Sequence, residues 1–100
     1  MGNRGNRKLV LENEKVRTEK YYSVGYDKEN ERYVLVVVIT WVAWYNRYYS
    51  ISREEYDFYE TEIEKLDSLA DDCYNAGILH ERFICSEAER DYNSNFSIRI

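Results

Sequence analysis

The sequence predicts an α+β fold in which an antiparallel sheet of about four to six strands carries one long amphipathic helix packed on one face. Three observations lead there. Residues Arg32 to Val42 are apolar on both alternating faces, the pattern of a central strand covered on both sides. Ser52 and Glu55 form a capping box, after which Tyr56, Tyr59, Ile63, Leu66, Ala70 and Cys73 recur at spacings of three and four and fall on one helical stripe. The chain has 100 residues, 44% apolar and 33% charged with no proline, which makes room for a single domain with one core.

The elements follow in chain order. Residues 1–8 repeat a Gly-Asn-Arg triplet, carry Arg4, Arg7 and Lys8 without an acid and offer no apolar anchor, so a mobile basic tail is expected. Lys8 to Glu12 reads as a short strand, and Val16 to Tyr26 as a longer one with Tyr22, Val24 and Tyr26 on one face. Asp27 to Glu31 supplies its turn before the central strand. Trp44 to Ile51 is an aromatic-rich strand, joined through Val42 and Ala43 without the glycine or asparagine of a tight hairpin. The helix begins at Arg53 and runs to about Ala76, where Gly77 stops it. Leu79 to Cys85 reads as a short strand, Ser86 with Glu89 repeats the capping box for one or two turns, and Phe96, Ile98 and Ile100 alternate as a terminal strand. The longest apolar run, Val34 to Ile39, is far shorter than the roughly 18 residues of a membrane span. No signal-peptide pattern is present, and a cytoplasmic location without membrane contact is expected.

Residue chemistry excludes several functions. His80 is the sole histidine, so neither a histidine cluster nor a His-based zinc motif can be assembled, and no metal or cofactor is expected. Cys73 and Cys85 sit in apolar company and read as small buried hydrophobes. On a strand, His80 and Cys85 would face opposite sides, which disfavours a Cys-His dyad. The carboxylates lack the apolar setting that would raise a pKa for acid catalysis, and the four glycines build no phosphate-cradling loop. The expectation is a protein that is not an enzyme.

Charge placement is more informative. The formal net charge is -5, yet residues 53–76 alone hold nine acids against Arg53 and Lys65. Such a segment repels phosphate, which argues against nucleic-acid binding and favours a basic protein partner. At about 100 degrees per residue, Glu54, Asp57, Glu60, Glu64, Asp71 and Asp72 fall on the outward half of the helix. A solvated face is the alternative reading. Against it, Asp71 and Asp72 oppose the dipole at the C-terminal end, where acids are mildly destabilising. Phe58 and Leu69 flank this face beside Glu62 and Lys65 and could add apolar contact. Among sixteen aromatics, Trp44, Tyr45, Tyr48 and Tyr49 are the expected interface anchors, with about half of the total needed to fill the core.

The run from Val42 through Trp44, Tyr45, Tyr48 and Tyr49 to Tyr56, followed by Arg82-Phe83-Ile84, resembles small bacterial immunity proteins of polymorphic and contact-dependent toxin systems. The likeness covers roughly residues 33–92 and lies in an aromatic strand running into a capped acidic helix. It implies a cytoplasmic antitoxin that binds the toxin of its own operon and blocks it, with no chemistry of its own. A nuclease is the favoured toxin, because its cationic substrate cleft would accept an acidic helix. Two other readings stay open: a nucleic-acid-mimicking inhibitor such as a phage anti-defence protein, and a small structural subunit whose aromatic strand extends a partner's sheet. Toxin identity and oligomeric state are left open by the sequence.

Overall fold

A computed structural model of the chain describes residues 8–40, 44–88 and 91. Strands β1 (Glu12–Arg17), β2 (Tyr22–Asp27), β3 (Arg32–Ile39), β4 (Tyr45–Ile51) and β5 (Phe83–Ser86) form one antiparallel sheet in the order β1-β2-β3-β4-β5. Helices α1 (Arg53–Thr61) and α2 (Ile63–Ala76) connect β4 to β5 and cover one face. The fold is α+β, as the sequence predicts.

The pleat divides the core in two. Tyr22, Val24, Leu35, Val37, Ile39, Tyr49 and Ile51 project from one side of the sheet onto Tyr56, Leu66, Ala70 and Cys73 of the helices. Val34, Val36, Tyr48 and Cys85 project from the other, where Leu9, Leu11 and Ile84 pack on them. A strand buried from both sides has to be apolar at every position, which is why β3 lacks alternation. The β2–β3 turn closes through Asp27, whose carboxylate accepts from the Asn30 side chain at 2.9 Å, the Asn30 backbone N–H at 3.3 Å and Arg32 Nε at 3.3 Å.

Several expected boundaries differ. Lys8 to Glu12 is not a strand: the segment before Glu12 lays Leu9 and Leu11 over the helix-free face, and pairing begins only at Glu12. Gly25 makes room there, since a Cβ on it would meet the Leu11 Cβ at 2.9 Å. The expected strand Val16 to Tyr26 is cut into β1 and β2 by a 3-10 turn at Thr18–Lys20 and by Tyr21, which sits in the left-handed region at φ 57° and ψ 46°. No glycine, asparagine or proline marks this turn, so the two strands read as one.

The predicted single helix is broken at Glu62, where φ is -148° and ψ 68°. Non-local ties account for the break. Tyr56 and Tyr59 donate their hydroxyls to the backbone oxygens of Asn13 and Val16 at 2.6 Å each, holding α1 on β1, while Arg17 holds α2 through Asp67. Thr61 Oγ1 also donates to the Asp57 carbonyl at 3.2 Å, a local bond that competes with the helical ladder.

Strand β3 ends at Ile39, short of the predicted Val42, and residues 41–43 lie outside the described residues. Strand β5 starts at Phe83 rather than Leu79, because Gly77–Leu79 continues α2 as a 3-10 turn. Ser86 caps no described helix; it is buried at the end of β5, donates to Asp91 Oδ2 at 2.6 Å and accepts from the Ala88 N–H at 3.0 Å. The expected basic tail before Lys8, Glu89 of the second capping box and the predicted terminal strand lie outside the described residues. No described helix is long and apolar enough to cross a membrane.

Candidate functional site

The predicted acidic face begins at a well-built helix start. Ser52 Oγ accepts from the Glu55 N–H at 3.1 Å, and Glu55 Oε1 accepts from the Ser52 N–H at 2.8 Å. Arg82 then grips both oxygens of Glu55 at 2.9 and 2.8 Å and donates to the Ser50 carbonyl at 3.0 Å. Burial opposes the charge on Glu55, but the paired guanidinium and the backbone donor outweigh it and hold the carboxyl below its usual range.

The nine acids of residues 53–76 separate into two groups. Four serve the fold: Glu55 with Arg82, Glu60 with Lys15 at 2.7 Å, Glu62 with Lys65 at 2.9 Å, and Asp67 with Arg17. Asp67 receives two guanidinium bonds at 3.0 and 2.9 Å and the Tyr22 hydroxyl at 2.6 Å, which together keep its carboxyl low. Lys15 also lies 4.0 Å from the ring centroid of Tyr56, so Glu60 closes a cation–π contact as well as an ion pair. The other five acids, Glu54, Asp57, Glu64, Asp71 and Asp72, are exposed and make no ion pair among the described residues. Of the six carboxylates expected to face outward, Glu60 alone is committed to an internal pair.

The apolar candidates divide differently. Phe58 is half-buried against the helix-side core with Lys65 Nζ 5.6 Å from its ring, so it is not a free flank. Trp44 is 69% exposed and stands edge-on to Tyr21 at 5.9 Å. Tyr45 is half-buried on the helix-side core, and its hydroxyl accepts from Arg47 Nη2 at 3.1 Å. Tyr48 and Tyr49 correct the expectation of a four-residue aromatic anchor, because both are buried within this chain. Successive residues of β4 point to opposite faces, and both faces are covered there. Tyr49 lies under α2 and donates to the Cys73 and Gly77 carbonyls at 3.2 and 3.1 Å, whereas Tyr48 lies under Leu9 and Leu11 and donates to Glu87 at 2.9 Å.

Arg47, the base between these tyrosines, is also internal. It holds both oxygens of buried Asp91 at 2.9 Å each, and Ser86 shares the same carboxylate. Cys73 and Cys85 are buried thiols on opposite sides of the sheet, and burial pushes the Cys73 thiol up to about 12. His80 accepts the Arg82 N–H at Nδ1, 3.1 Å away, and its ring meets Tyr49 edge-on. Among the described residues no group of three or more His, Cys, Asp or Glu side chains is placed to hold a metal ion.

Among the described residues, two exposed aromatics stand outside the sequence-based candidates: Tyr21, 53% exposed, and Tyr74, 45% exposed. Tyr74 was legible, since it follows Cys73 by one position and so falls about 100 degrees off the buried stripe. Tyr21 carried no such signal, because its outward position depends on the left-handed backbone of an unmarked turn. Compared with known proteins, the chain matches no family model, no curated protein and no solved structure.

Proposed function

We propose that this chain is an immunity protein that binds a cognate bacterial toxin domain and blocks it by occupying its surface, without chemistry of its own. The observation that carries the reading is the set of five exposed carboxylates on α1 and α2 that make no ion pair among the described residues. Glu54 and Glu64 lie in first helical turns, where they also favour the helix dipoles, whereas Asp57, Asp71 and Asp72 have no such use. An unpaired set concentrates negative potential on one side, which steers a basic partner to it and disfavours acidic competitors. A nuclease domain with a cationic substrate cleft is the partner such a face suits best, and the cytoplasm is where the blockade would be needed. The resemblance of the aromatic strand and capped acidic helix to bacterial immunity proteins supports the same reading.

A nucleic-acid-mimicking inhibitor would use the same carboxylates against a different basic target. Sheet extension through the aromatic strand is disfavoured, because β4 lies between β3 and β5 and has no free edge. The test is co-expression with the product of the gene encoded beside this one. Rescue of growth together with a stoichiometric complex of the two purified proteins is expected. A neighbouring product that neither harms cells nor binds the chain would overturn the reading.

A further inference from the structure

We infer that the end of the sheet carrying Tyr21 and Trp44, together with Tyr74 of α2, is the anchoring patch for a protein partner, and that the cleft beside Asp71 takes an arginine side chain from it. The inference rests on the reading above, that the chain binds a basic protein, and assigns a contact point and a chemistry within that interface.

Tyr21 joins the patch together. On the helix-free face its ring meets Trp44 edge-on at 5.9 Å, and the two share a cleft of about 350 Å³ with Val16 and Val38. On the helix side, Tyr21 and Tyr74 line a second cleft of about 220 Å³, with Val38 and Thr40 as part of its wall. Three exposed aromatics therefore meet at one end of the molecule around a single residue. Tryptophan and tyrosine are the side chains that most often dominate interface energies, because they cover much area and keep a polar tip.

The backbone of Tyr21 is a second, independent observation. Its φ of 57° and ψ of 46° place a bulky aromatic residue where glycine or asparagine is favoured, and its carbonyl is locked by the Val38 N–H at 3.0 Å. Leaving an exposed ring at a strained position does nothing for the core. Strained residues of this kind gather at binding sites, where the conformation aims a side chain.

Charge selects the occupant. The charged residues lining the second cleft are Lys20 and Asp71. Neither has an ion pair or side-chain hydrogen bond among the described residues; the Lys20 charge favours the ionised form of Asp67, one helical turn before Asp71, and Asp71 is the carboxylate that lines the cleft itself. A cleft that offers two tyrosines and an unpaired carboxylate complements a cation with a flat, weakly hydrated face. Guanidinium fits that description better than ammonium, since it stacks on rings while donating in-plane bonds to a carboxylate.

The test uses the isotope-labelled full chain and N-acetyl-arginine amide as the probe, followed by NMR at low salt. Saturable shifts are expected at the amides of Tyr21, Thr40, Asp71 and Tyr74, with a dissociation constant of about millimolar order, while the uncharged citrulline analogue binds at least about tenfold more weakly. Asp71→Asn and Tyr74→Ala should each weaken the arginine probe by about threefold to tenfold, and Glu29→Gln in the β2–β3 turn should leave it unchanged. The unperturbed part of each spectrum verifies the fold. Absent shifts at these amides, equal binding of citrulline, or full probe affinity in Asp71→Asn would overturn the inference. Failure here and failure of the immunity reading are separable. A toxin bound at full affinity by Asp71→Asn and Tyr74→Ala removes the cleft from that interface and leaves the function standing. An arginine-binding cleft on a chain that binds no neighbouring gene product leaves the cleft standing and removes the function.

Discussion

Leu66 and Ile63 sit on the same helical stripe, yet the structure separates them, and alanine substitution should separate them in the same order. Leu66 is fully buried beneath the sheet, whereas Ile63 is only partly covered at the start of α2. Leu66→Ala removes three buried carbons worth about 0.8 kcal/mol each, and the rigid strands around the site keep the cavity from closing, which adds about 1 to 2 kcal/mol. The sum is about 3.5 to 4.5 kcal/mol. Ile63→Ala loses about half the transfer free energy and leaves a dent that water can fill, so about 1 to 1.5 kcal/mol is expected. Against a total stability of about 5 to 15 kcal/mol, the first substitution removes a large share and the second does not. Urea unfolding followed by far-ultraviolet circular dichroism reads both, with unchanged slopes confirming that only stability has moved. Equal midpoint shifts, or a larger shift for Ile63→Ala, would refute the placement of α2 on the sheet.

Three further outcomes follow from the same contacts. The carboxyls of Asp27, Glu55 and Asp67 are held below their usual range, so the stability they supply is complete above the unfolded value of about 4 and is lost as pH falls through the lowered folded values. Urea midpoints should drop across that window, and Asp67→Asn should flatten part of the drop. Cys73 is fully buried with its thiol raised, so an aromatic disulfide reagent should label it only as fast as the protein opens; immediate labelling in native buffer would contradict its burial. Gly25→Ala should cost about 1 to 3 kcal/mol by pushing its Cβ into the Leu11 Cβ, and Leu11→Gly, which removes that atom, should relieve part of the cost in the double variant, whereas strictly additive effects would mean the two do not touch.

How much of this was legible in the sequence depended on whether a feature was local. The capping box at Ser52, the apolar stripe and the continuous apolar run of β3 each depend on residues close in the chain; the first two lie where the pattern puts them, and β3 starts at the expected Arg32 but ends at Ile39. The break at Glu62 did not show, because it depends on Tyr56, Tyr59 and Asp67 reaching residues of β1 more than forty positions away. The turn through Tyr21 was hidden for a different reason: a tyrosine occupies a backbone position that glycine or asparagine would have advertised.

The candidate surface shows the same division. Exposure of the outward carboxylates followed from helical phase, while the pairing of Glu60 with Lys15 required the fold. The aromatic strand was overread, because a tyrosine on a strand looks the same whether it faces solvent or lies under a segment such as Leu9 and Leu11. Of the four, only Trp44 is exposed.

The immunity reading holds that the exposed carboxylates of α1 and α2 bind a basic toxin. Its most direct test is titration calorimetry of the neighbouring gene's product with wild-type protein and with a Glu54→Lys, Glu64→Lys, Asp72→Lys variant, each at low and high salt. None of the three is in an ion pair among the described residues, so the variant should fold, with about 0.3 to 1 kcal/mol lost at each of Glu54 and Glu64, which lie in first helical turns, and under about 0.5 kcal/mol changed at Asp72. The immunity reading predicts that affinity weakens by about a hundredfold or more in the variant and that wild-type affinity falls with added salt. A folded variant with full affinity, insensitive to salt, would contradict it and leave the acidic face as solvated surface.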